Sequence, residues 1–119
     1  TGGAAAPPSR VGALARSPAP ALSAADAKTI LWRQFDGIGP PYPARGQVLA
    51  IRDTAGAFLD LDGVGDKERA LAAFVVAHTY IATGDDSRVL PLLQRAVALD
   101  PGAGGYRTLL NEYRRRQEP

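Results

Sequence analysis

The 119-residue chain has no cysteine and no methionine, and only one histidine and one tryptophan. Without cysteine there is no disulfide scaffold, thiolate metal site, thiol nucleophile or covalently attached haem. The redox compartment stays open. Charge of one sign is also lacking: 14 Lys+Arg against 12 Asp+Glu leave a formal net charge of +2. That balance builds no basic face of the kind phosphate backbones require, so nucleic acid is not an expected partner. Long hydrophobic runs are missing as well. Short segments such as "AFVVA" fall well below the roughly 18 residues a membrane-spanning helix needs, and no membrane insertion is expected. A chain that begins at Thr1 and holds no methionine is not expected to be an intact translation product. A removed export signal is the expectation, with an extracytoplasmic or secreted location; a shortened chain is the alternative.

What is present is an ordinary apolar fraction, 45%, with 13 Gly and 10 Pro, the prolines crowded toward the first half. Residues 1–22, "TGGAAAPPSRVGALARSPAPAL", have too little apolar surface to offset the entropy of ordering them. They read as an extended Ala/Pro-rich arm, laid either on their own domain or on a neighbouring subunit. The remaining residues, 23–119, are long enough for one small domain.

Within that domain the apolar periodicity is helical. Ser23 and Asp26 have capping-box spacing before a helix over 23–36, which stops at "DGIGPPYPARG" because its glycines and prolines forbid continuation. Tyr42, inside that loop, is either a recognition element or a seal against the domain. Residues 47–61 are ambiguous: Val48, Ile51, Ala55 and Leu59 keep helical spacing, while "VLAI" and "AFLDL" also fit a hairpin. Helix is the preferred reading, despite the helix-interior cost of Gly56. Asp66 reads as the N-cap of a helix running to Gly84, and Ser87 or Asp86 as the cap of the next, which ends at "LDPG" with Pro91 in its first turn. A last helix covers "YRTLLNEYRRRQ".

Residues 73–101 resemble a tetratricopeptide repeat. Val76, Ala77 and Tyr80 occupy the first helix at the family's spacing, Gly84 falls at the turn, and Val89, Leu93, Ala96 and Pro101 define the second helix and its end. The physical sense is direct. Two antiparallel helices need small residues where they cross, and the proline forces the chain into another hairpin. Ala73 and Ala77 depart from the family's large first residue and glycine, and Val89 from its alanine. Stepping back by one repeat length sets Ala55 and Leu59 over Val89 and Leu93, but the proline loop interrupts the earlier unit's first helix.

The resemblance implies a concave groove, with Phe74, His78, Ile81 and Ala82 facing it, and stacking ends around Ile30, Phe35, Leu109 and Tyr113. His78 has no carboxylate or ligand partner at helical spacing, so neither catalysis nor metal binding is expected of it. "DLDGVGD" lacks the full calcium-loop spacing and reads as a capped turn, and "YRRRQ" as a basic last helical turn. No cofactor is expected. The sequence therefore reads as an all-α, short helical-repeat stack of the tetratricopeptide-like α-solenoid type, preceded by an arm. The expected role is noncatalytic: a structural or assembly subunit that self-associates or docks in a larger complex. A monomeric adaptor binding a partner peptide in the groove, or an accessory domain of a larger protein, is the alternative.

Overall fold

A computed structural model describes residues 23–39 and 41–117. The arm expected at residues 1–22 lies outside the described residues. The architecture is all-α: five helices, and no strand among the described residues.

Helix α1, Ala27–Ile38, follows a 3-10 turn at Ala24–Asp26. The expected capping box does not form. The Ser23 hydroxyl donates to the Asp26 carboxylate at 2.8 Å, and the Asp26 N–H closes the turn on the Ser23 carbonyl at 3.1 Å. The helix runs through Gly37 and stops where Gly39 turns extended. Helix α2, Arg45–Ala57, resolves the helix-or-hairpin ambiguity in favour of helix. It begins earlier and ends earlier than expected, and Phe58, fully buried, follows its last residue. Gly63, at φ 87°, then takes the left-handed conformation that a side chain resists, with Ala24 packed against it.

Helix α3, Asp66–Thr83, is capped by Gly65, and Asp66 is its first residue instead of its cap. Asp66 and Glu68 still favour the positive end of the helix dipole. From Ala70 to Ala77 every residue is buried, so α3 is apolar all round, as a central helix must be. Gly84, at φ 78°, ends it: the Gly84 N–H reaches the Ile81 carbonyl at 3.2 Å and the Asp85 N–H the Tyr80 carbonyl at 2.9 Å, a Schellman arrangement.

A 3-10 turn at Asp86–Arg88 leads into α4, Val89–Leu99. Neither Ser87 nor Asp86 caps it. Ser87 donates to the Asp85 carboxylate at 2.9 Å instead, and Arg88 holds the cap position without a side-chain bond. Pro91 lies in the first turn, where its missing N–H had no intrahelical partner to lose. Asp100 leaves the helical region, Pro101 follows, and α5, Gly104–Gln117, begins after one further turn.

Helix α3 packs on α1, α2 and α4, α1 on α2, and α4 on α5. Two hydrophobic clusters result. One joins α1, α2 and α3 around Leu31, Ile38, Val48, Phe58 and Val75; the other joins α3, α4 and α5 around Ala77, Val89, Leu93, Ala96 and Leu110. Phe35, Leu59, Tyr80 and Leu92 touch both.

Candidate functional site

The hairpin of α3 and α4 contains every residue that carries the repeat resemblance. Ala77, Val89, Leu93 and Ala96 are completely buried and Val76 nearly so, Tyr80 is half-buried, Gly84 makes the turn, and Pro101 stands exposed just past α4. Small residues at 77 and 96 let the two helices approach closely.

The four residues expected to line a groove, at i, i+4, i+7 and i+8, lie along one face of α3 and differ in what covers them. Phe74 is only 8% exposed. Its ring lies 4.6 Å from that of Tyr106 on α5 and 5.8 Å from that of Phe35 on α1, so side chains from both flanking helices occupy the space above it. His78 sets its edge against Phe74 at 4.7 Å and beside Phe35 at 6.5 Å. Ile81 packs against the second cluster and Ala82 against the first.

Burial holds the His78 imidazole below its usual pKa, and its Nδ1 is buried with no hydrogen-bond partner among the described residues. A neutral ring wedged between aromatics is a packing element. It shares a recess of about 240 Å³ with Phe35, Asp36, Ile38 and Gly39. Among the described residues no three His, Cys, Asp or Glu side chains come together as a metal site would require, and no helix is long and apolar enough to cross a membrane.

The expected stacking ends are redistributed. Ile30 and Leu109 are half-buried against the first and second clusters respectively, and Phe35 lies between the two. Tyr113 is 4% exposed and its hydroxyl donates to the Asp86 carboxylate. Burial first, then that bond and the Asp86 charge, push the phenol up to about 12. Tyr113 is thus used inside the domain, where it ties α5 to the turn before α4.

The uncovered surface at this end is a groove of about 420 Å³ between α4 and α5. Val97, Ala98 and Leu110 provide its apolar part, and Gln94, Asn111, Arg107 and Arg114 its rim. Sequence reasoning passed over Val97 and Ala98, although the unbroken apolar run "AVAL" left them outside the Val89–Leu93–Ala96 stripe. It also passed over Trp32, 47% exposed, whose ring stands edge-on to Phe35 at 5.4 Å. Trp32 follows the fully buried Leu31 by about 100° around α1 and so leaves the core stripe. Tyr42, 37% exposed, is the other large apolar residue at the surface among the described residues. Burial raises its phenol pKa, and nearby Arg116 partly opposes that.

No family model matches the chain, and comparison with curated proteins and with solved structures returns no match.

Proposed function

We propose that the chain is a noncatalytic assembly module, a short tetratricopeptide-like stack that joins other protein, its own copies included, through the open α4/α5 end and the arm at residues 1–22. The observation that carries this reading is the end groove. In an array of stacked hairpins each helix pair is covered by the next, and an apolar strip between the last two helices is where the next element lies. Here Val97, Ala98 and Leu110 form that strip with no helix over it among the described residues. The order of packing, in which each helix meets its chain neighbours and α3 also meets α1, supports a stacked arrangement. So does the matching spacing of the buried triads, Ile51 and Ala55 on α2 with Phe58 just past its end, and Val89, Leu93 and Ala96 on α4.

Light scattering across a concentration series tests the proposal. Self-association predicts a mass that rises with concentration, and Ala98→Arg lowers it by adding like charge beside Arg107 and Arg114. Ala98 is exposed, so the variant keeps its fold. Removal of residues 1–22 lowers the mass if the arm bridges copies. A monomer at every concentration that also captures no subunit from its source overturns the assembly reading.

Exposed Trp32 favours the second reading, a monomeric adaptor for an extended partner peptide. Beside it a small cleft of about 180 Å³ brings Lys28, Lys67, Glu68 and Asp100 together. Trp32→Ala then weakens partner binding while the thermal midpoint holds.

A further inference from the structure

On the opposite side of α3 from Phe74 and His78, a cleft of about 470 Å³ opens between α2 and α4. Its volume falls within the range of small-molecule sites, roughly 300–1,000 Å³. Leu59, Val76, Pro91 and Leu92 make its apolar part. One end is cationic: the Arg52 guanidinium lies 3.8 Å from the centre of the Tyr80 ring, and that of Arg88 lies 5.7 Å from it.

Arg52 is held in place before any ligand arrives. Its Nε donates to Thr79 Oγ1 at 3.1 Å, and its Nη2 donates to Thr83 Oγ1 at 2.8 Å and to the Thr79 carbonyl at 3.1 Å. Nη1 makes no hydrogen bond among the described residues and remains a donor. Arg88 meets Asp85 at 3.5 Å, and its side chain stays 65% exposed. Arg95 donates to the Leu59 carbonyl at 3.3 Å, which links α4 to the segment just after α2.

Gly56 is the second observation. It lies inside α2 with ordinary helical backbone, and nothing comes within 4 Å of the place a Cβ would take. Neither a turn nor a close approach calls for glycine there. Glycine in a helix weakens it by about 1 kcal/mol against alanine, and the missing side chain adds only room in the cleft wall. We infer that the α2/α4 cleft is a binding site for a small amphipathic carboxylate, its acid group on Arg52 and Arg88 and its apolar body along Leu59, Val76 and Leu92. Charge complementarity selects this occupant over the arm, which contains Arg10 and Arg16 and no acidic residue.

The test is calorimetric titration of the full chain with decanoate, and with decan-1-ol as the uncharged match. Decanoate binds saturably at one site, and decan-1-ol binds at least about tenfold more weakly, as expected for the loss of a charge-assisted hydrogen bond. Arg88→Gln weakens decanoate about tenfold. Gly56→Leu fills the cleft and abolishes binding with the thermal midpoint unchanged or raised, so loss of binding is not loss of fold. Three results overturn the inference: no saturable binding of decanoate at millimolar concentration, equal affinity for the alcohol, or binding that survives Gly56→Leu and falls with Ala98→Glu. The last would put the ligand in the end groove. The assembly reading stands or falls separately, on mass.

Discussion

The two long sides of α3 solve opposite problems. Toward α1 and α5 its side chains Phe74 and His78 meet rings from the neighbouring helices, and the space above Phe74 is filled by Phe35 and Tyr106. Toward α2 and α4 it presents Val76, Thr79 and Tyr80, and beside the apolar packing of those helices Arg52 of α2 clamps Thr79 and Thr83 and leaves a cleft. The lesson is that aromatic side chains from three helices fill space efficiently, whereas a guanidinium fixed by hydrogen bonds ties helices together without filling it.

The strongest way to break this comparison is Phe74→Ala. If the aromatic side is core, the loss is about 3 kcal/mol or more, within the range for deleting a buried phenylalanine ring, and denaturant unfolding reads it. An unchanged midpoint with weakened partner binding would instead return Phe74 to a groove. Arg52→Ala probes the other side. It removes bonds to Thr79 and Thr83 and the stacking on Tyr80, and leaves the buried Thr79 hydroxyl with only its bond to the Val76 carbonyl. The expected loss is about 2 kcal/mol, smaller than for Phe74 because the site is part-exposed.

Tyr113→Phe should cost about 1 kcal/mol at neutral pH through the lost bond to Asp86. The wild-type phenol is raised to about 12 against roughly 10 when unfolded. Its contribution is complete below about pH 10 and is lost as pH rises toward 12, so the variant should lack that alkaline decline.

His78 gives the smallest and sharpest test of the closed side. Burial lowers its pKa, so the unfolded chain takes up the proton first. The stability present above about pH 6.5 is therefore lost as pH falls below that value toward the lowered one. Unfolding measured between pH 7 and 5 should show this slope in the wild type and not in His78→Leu. Asp36 shares the recess, so a slope that persists in the variant would assign the effect to carboxylates.

How far the sequence was legible differs by element. The α3/α4 hairpin was readable because its signals are local: helical periodicity, Gly84 at the turn and Pro101 at the end. The α2 segment read two ways because "VLAI" and "AFLDL" satisfy both periods, and packing of Val48, Ile51 and Ala55, at helical spacing, against α1 and α3 accompanies the helix. The caps were read less well. Ser23, Asp66 and Ser87 have the right chemistry at nearly the right place, yet none bonds the helix N–H groups, because two of these starts tighten into 3-10 turns and the third is set by Gly65.

The site was least legible. Leu109 and Tyr113 look like an apolar end on an isolated helical wheel, but Asp86, far back in the chain, accepts the Tyr113 hydroxyl and draws that face inward. The open strip passes to Val97, Ala98 and Leu110. Trp32 was missed because it stands beside a core residue in sequence and beside solvent in space.

By itself the amino-acid order determined that this protein is helical and where most helices stop, since periodicity, glycine and proline act within a few residues. It also leaves the sequence without a thiol. Only the tertiary structure decided which apolar side chains are spent in the core and which remain at the surface. Exposure belongs to a residue and its neighbours together, and the neighbours that cover Phe74, His78 and Tyr113 come from distant parts of the chain.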